Sequence, residues 1–115
     1  MPAPDKLKPQ WFNILLALSD GERHGQGIMA EVLRQTEGSM RLRPTSLYGS
    51  LKRLSELGFL EESIQEGAAG EGDRRRFYRI TEVGRQTLAS EITRLQRTVE
   101  LALRKQEAAR VAGDQ

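Results

Sequence analysis

The chain has 115 residues, of which 37% are hydrophobic and 30% charged. That is one domain's length, with less apolar material than the usual soluble domain. It has no cysteine and one histidine, His24, which excludes disulfides, thiolate nucleophiles and multi-histidine metal sites. Basic residues exceed acidic ones by only two, too small an excess to announce a polyanionic partner by itself. No apolar run approaches the ~20 residues of a membrane span. The opening MPAPDKLKPQ lacks a signal-peptide core, so the expectation is a cytoplasmic protein with no membrane partner. A chain this short and charged needs elongated helices or a partner to finish its core.

Pro9 suits a first helical turn, where its missing N–H would be unbonded anyway. Trp11, Ile14, Leu15 and Leu18 then recur on one face, predicting a helix over about residues 8–19. The stretch DGERHGQG reads as a turn that includes His24. A second helix is predicted over about 25–36, with Ile28, Val32 and Leu33 inward. Pro44 opens a third, with Leu47, Leu51, Leu54 and Leu57 on its inner face and Gly58 as its stop. Three short helices with tight connections suit a helix-turn-helix core.

The period then changes. FLEESI and RRFYRI are β-prone runs, separated by the glycine-rich QEGAAGEGD, which predicts a hairpin with a flexible tip. Thr81 is placed to cap a last helix, although Gly84 stands where a capping box would have Glu or Gln. No proline or glycine interrupts the chain from there to about Arg110. Leu88, Ile92, Leu95 and Val99 step by four, three and four, an a/d seam of two clear heptads. The predicted fold is mainly α with a small β-hairpin: a winged helix-turn-helix over 1–80, a dimerisation helix over 81–111, and a frayed tail over 112–115.

The third helix carries the main functional signal. With its leucines inward, Thr45, Gly49 and Lys52 project outward, flanked by Ser46 and Arg53 on one side and Tyr48 on the other. Arg43 precedes them. Short hydroxyls, a glycine and long cations are what a groove-reading helix needs. An ordinary solvated helix face has a similar composition. The second signal is the run Arg74, Arg75 and Arg76. In a strand these alternate in direction, and a basic wing edge can reach phosphates; a charged edge strand also simply resists aggregation. A winged helix presents both segments on one side, so together they point to double-stranded DNA. The alternative is a winged-helix module that uses the same face against a protein. Glu61 and Glu62 are adjacent and point to opposite faces of a strand, so they form no acid–base pair. No nucleophile–base arrangement, phosphate loop or metal-ligand spacing occurs; no enzyme activity, cofactor or metal is expected. Trp11, Leu15, Leu88, Ile92, Leu95 and Val99 are the expected homodimer contacts.

The segments ILLALSDGERHGQGI, PTSLYGSLKRLSELGFLEE and DRRRFYRITEVGRQTL resemble the PadR family of bacterial transcriptional regulators. The length resembles its short-chain members with a single C-terminal helix. The resemblance spans about Trp11 to Leu95. It implies a homodimeric winged-helix DNA binder, usually a repressor, often released from its operator by a small-molecule effector. The third helix would read DNA, the wing would touch the backbone and the last helix would dimerise. Three positions depart from the family's common pattern: Thr45-Ser46 replaces Gly-Thr, Gly49 replaces a proline, and Gln26 replaces a tyrosine. The first two fall on the expected reading face, so no family operator sequence carries over.

Overall fold

In the computed structural model, which describes residues 7–66 and 74–113, the chain runs α1 (Pro9–Leu18), β1 (Arg23–His24), α2 (Gly25–Gln35), α3 (Pro44–Glu56), β2 (Leu60–Glu66), β3 (Arg74–Ile80) and α4 (Glu82–Gly113). Both α1 and α3 begin on proline, as the sequence predicts. Gly58 adopts φ +81° just past α3. There Phe59 N–H donates to Leu54 O and Gly58 N–H to Ser55 O, a Schellman ending that needs the left-handed residue.

The inner faces of the three short helices close one core. Ile14, Leu15, Leu18, Ile28, Val32, Leu47, Leu51 and Leu54 are essentially inaccessible, and Phe59, Leu60, Tyr78 and Ile80 complete the cluster. β2 and β3 pair antiparallel, from Leu60 opposite Ile80 to Glu66 opposite Arg74. Toward the tip this ladder leaves the core, and Ile64 is exposed. The expected tip QEGAAGEGD starts two residues too early, because β2 continues through Glu66; the rest of it, 67–73 with Glu71 and Asp73, lies outside the described residues.

The stretch around His24 is not only a turn. Arg23 and His24 form β1, antiparallel to Tyr78 and Phe77, giving a three-stranded sheet in the order β1-β3-β2. Two residues carry no alternation from which a strand could be read; the pairing comes from the outer edge of β3.

Thr81 caps α4, its Oγ1 accepting from Gly84 N–H at 3.0 Å. A Cβ at Gly84 would lie 2.0 Å from the Phe59 carbonyl oxygen. The incomplete capping box thus has a steric cause: the backbone of this turn lies directly against the chain between α3 and β2. α4 has 32 residues, roughly 48 Å at 1.5 Å per residue. Its Gly84, Leu88 and Glu91 are buried, and every described residue from Ile92 onward is exposed. The Cα radius of gyration is 17.9 Å, against about 13 Å for a compact chain of this length; the projecting helix makes the difference.

Three expectations need correction. Leu15 and Leu88, at 0% and 4% exposure, belong to the chain's own core and are not surface contacts for a partner. Both fall on the faces where α1 and the first turns of α4 meet the body, which an a/d reading of the last helix alone does not register. The expected tail at 112–115 starts too early, because α4 continues through Gly113, with no proline to stop it.

Candidate nucleic-acid interface

The exposed side of α3 carries Thr45, Ser46, Tyr48, Gly49, Lys52 and Arg53, with Arg43 exposed at its N-cap. The leucine stripe at 47, 51 and 54 anchors the opposite side and so fixes this orientation. These residues differ in how far they are committed within the chain. Ser46 Oγ is bonded to the Gln10 amide, accepting from Nε2 at 2.8 Å and donating to Oε1 at 3.1 Å. The same Nε2 donates to Ser50 Oγ at 2.7 Å. Ser46 is therefore a strut between α1 and α3. Gln10 does not stand out in the sequence, because one polar residue on a helix end gives no periodic signal. Arg53 lies 3.5 Å from Glu56, both well exposed, a pair of little energetic weight. Around Gly49 a Cβ would meet nothing within 4 Å. No contact in the described chain demands a glycine there, although glycine weakens a helix interior by roughly 0.5–1 kcal/mol relative to alanine.

Tyr48 joins α3 to α2 and the wing. Gly25 is buried, and a Cβ there would lie 2.2 Å from the Tyr48 hydroxyl oxygen. His24 caps α2, its Nδ1 accepting from Gly27 N–H at 3.1 Å. Its ring stands edge-on to Phe77, and its Nε2 lies 3.4 Å from Arg75 Nη1. His24, Gly25, Gln26, Tyr48, Arg75 and Arg76 thereby line one cleft of about 380 Å³. On the other side of Tyr48, a groove between α3 and the wing is lined by Lys52, Glu62, Arg76 and Tyr78 among others. Burial of Tyr78, then the charge of Glu62, pushes its phenol pKa up; a hydrogen bond from Arg76 opposes this.

The wing arginines divide in the same way. Arg79 is paired with Glu61 at 2.7 Å and Arg76 with Glu62 at 3.8 Å, so acids of β2 partly neutralise both. Arg75 is exposed on the His24 side of the sheet. Arg74 occupies the first position of β3, but its side chain lies outside the described residues.

Of the expected dimer contacts, Ile92, Leu95 and Val99 are 43%, 37% and 56% exposed on α4. Trp11 is half-buried against the core, with Lys8 Nζ 5.0 Å from its ring centroid. Glu91, buried at the last covered turn of α4, accepts from Arg94 Nε and Nη2 at 2.7 and 2.9 Å. This hydrogen bond raises the Arg94 pKa further.

The match to known proteins follows this architecture. Residues 14–90 match the model of the "Transcriptional regulator PadR-like family". The chain belongs to the PadR-like family. Its members are transcriptional regulators and not enzymes. An uncharacterized protein of Lysinibacillus sphaericus is 29% identical over 76 residues, which are 66% of this chain and 68% of that one. A transcriptional regulator from Clostridium thermocellum superposes with a TM-score of 0.69 at 24% identity, over 82% of this chain and 89% of that chain. Bacillus subtilis PadR, solved in complex with operator DNA, superposes with a TM-score of 0.64 at 21% identity, over 74% of this chain and 47% of that chain. These superpositions establish the shared winged-helix fold with its long C-terminal helix. Among the described residues no helix is long and apolar enough to cross a membrane, and no group of His, Asp or Glu could hold a metal ion.

Proposed function

We propose that this PadR-like regulator is a sequence-specific DNA-binding repressor that acts as a homodimer, with release by a small-molecule effector as its mode of control. The observation that carries the DNA reading is the continuity at Tyr48. The exposed hydroxyls and cations of α3 run directly into the basic strand β3, with Tyr48 and Arg76 lining the clefts on both sides of the junction. A helix seated in the major groove by its N-terminal residues, with a basic wing on the flanking backbone, uses such a surface. Thr45, at the start of α3, would meet base edges. Arg43, Lys52, Arg53, Arg74 and Arg75 would meet phosphates. Ser46 would act chiefly through its bond to Gln10, orienting the helix. The homodimer reading is supported by the apolar stripe Ile92, Leu95 and Val99, left exposed by the other described residues. Two copies paired along α4 would present two α3 helices to a two-fold-related operator. The family relative solved with operator DNA supports the DNA reading.

The test is affinity for a random-sequence duplex as a function of salt, followed by competition among randomised sites. Binding should weaken steeply with salt, and Lys52→Ala should lower the slope by about 0.9 on every sequence. Thr45→Ala should instead change the ranking of sites. A salt-independent interaction, or no duplex binding at low salt, would favour a protein partner for this face.

A further inference from the structure

We propose that the cleft between the start of α2, Tyr48 and Arg75 seats a single backbone phosphate of bound DNA, and that His24 is one of its donors. The proposal rests on the DNA-binding reading above and adds to it a site that joins three elements on one phosphate.

The argument starts from the histidine ring. Nδ1 accepts the Gly27 N–H at 3.1 Å, so the proton of the neutral ring is carried by Nε2. That Nε2–H faces Arg75 Nη1 at 3.4 Å. Both groups present N–H donors to the same space, so a phosphate oxygen placed between them is within reach of both. A guanidinium suits a phosphate best by geometry and charge. The surroundings agree. Tyr48, Gln26 and Arg76 also line the cleft, Arg76 with its guanidinium paired to Glu62, and no carboxylate is among the described residues lining it. Its volume of about 380 Å³ is many times the ~30 Å³ share of one water. The Tyr48 hydroxyl lies close against the backbone at Gly25. The cap and the edge-on contact with Phe77 orient the imidazole before anything binds.

The seat also has a consequence for specificity. A phosphate held jointly by α2, α3 and β3 sets the register of α3 along the groove, because Tyr48 is one turn from Thr45 on the same helix. His24 is thus a positioning residue for base reading, although it lies outside α3.

The experiment uses the full chain, a random-sequence duplex, and His24→Asn, Arg75→Gln and their combination. Asparagine is a good N-cap, so His24→Asn keeps the cap of α2 and removes the Nε2 donor; an unchanged unfolding midpoint checks this. Arg75→Gln should lower the salt slope by about 0.9. His24→Asn should weaken binding by about tenfold, as expected for a lost bond to a charged acceptor, with little change in slope. The combined variant should lose clearly less than the product of the two single losses, because both act on one phosphate. Backbone amide resonances of Gly25 and Gln26 should shift on addition of duplex to the parent protein. Arg79→Gln, paired with Glu61 away from the cleft, should leave affinity and slope as they are. Full multiplication of the two losses, or an unmoved Gly25 and Gln26 while Thr45 shifts, overturns the seat and leaves DNA binding standing. Should His24→Asn unfold, Arg75→Gln and the resonances of the parent decide alone. Absence of any duplex binding, with Thr45 also unmoved, overturns both readings together.

Discussion

The body of the protein, described over residues 7–66 and 74–91, and the projecting stretch 92–113 treat similar apolar side chains in opposite ways. In the body, Leu15, Leu18, Leu47 and Leu54 are at most 1% exposed, and the first turns of α4 join them through Leu88. Beyond Glu91 the same helix carries Ile92, Leu95, Val99 and Leu103 at 37–60% exposure. The body closes its core with its own elements. The projecting stretch has the spacing of a packed helix and no other described element to pack on. In proteins most helical stability comes from packing an amphipathic face rather than from propensity, so the two regions differ in where their stability comes from. The body draws it from its own chain, and the projection is expected to draw it from a second copy.

The largest effect should come from charging the projection. Ile92→Glu combined with Leu95→Glu is expected to halve the mass seen in sedimentation and to weaken duplex binding by about a hundredfold through lost avidity, while the body still melts cooperatively. A double variant that sediments like the parent would sink the contrast. Next is the body itself. Leu15→Ala should lower stability by about 2–5 kcal/mol in denaturant titration, with the oligomeric state of the folded fraction unaltered. A change in assembly without a loss of stability would return Leu15 to the interface.

Smaller effects sharpen the contrast within the body, between its core and its reading face. Gly49→Ala fills no space that the chain uses and should raise stability by roughly 0.5–1 kcal/mol. It should nevertheless weaken duplex binding, if the glycine serves close approach to DNA; equal or tighter binding removes that role. The smallest effect concerns pH. Burial, and after it Glu62, raises the Tyr78 pKa above its ordinary 10.0. The unfolded chain therefore gives up this proton at lower pH than the folded one. The contribution of Tyr78 is complete below about pH 10 and is lost as pH rises through the folded pKa. Tyr78→Phe should flatten the alkaline decline in melting temperature; an unaltered decline would assign it to other groups.

Much of the site was legible in the chain because it obeys simple periodicities. The leucines at 47, 51 and 54 place Thr45, Gly49 and Lys52 on the outer side of α3 by helical geometry alone, and the arginine run next to aromatic residues marks a strand with a basic edge. The partners that decide how these residues act were not legible. Gln10 holds Ser46 from 36 positions away, and Arg75 meets His24 from 51 positions away. No local pattern connects such pairs. His24 looked like part of a glycine-rich turn because a two-residue strand has no period, and its pairing with β3 exists only once the hairpin has formed. Gly84 looked like a defect in a capping box because the carbonyl it accommodates belongs to Phe59, on another segment.

Local order in this protein followed from the sequence by itself. Prolines at helix starts, a left-handed glycine at the end of α3 and two hydrophobic periods determine four helices and a hairpin, and with them the face that α3 leaves to solvent. These are short-range constraints of backbone geometry and of burying one side of an element. Tertiary structure alone decided which apolar residues are spent inside the chain. Leu88 and Ile92 belong to one seam in the sequence, but α1 covers the first turns of α4 and ends before the rest. The same packing brought His24, Tyr48 and Arg75 to one cleft, because side-chain donors from three elements converge only when the core beneath them sets the elements' distances.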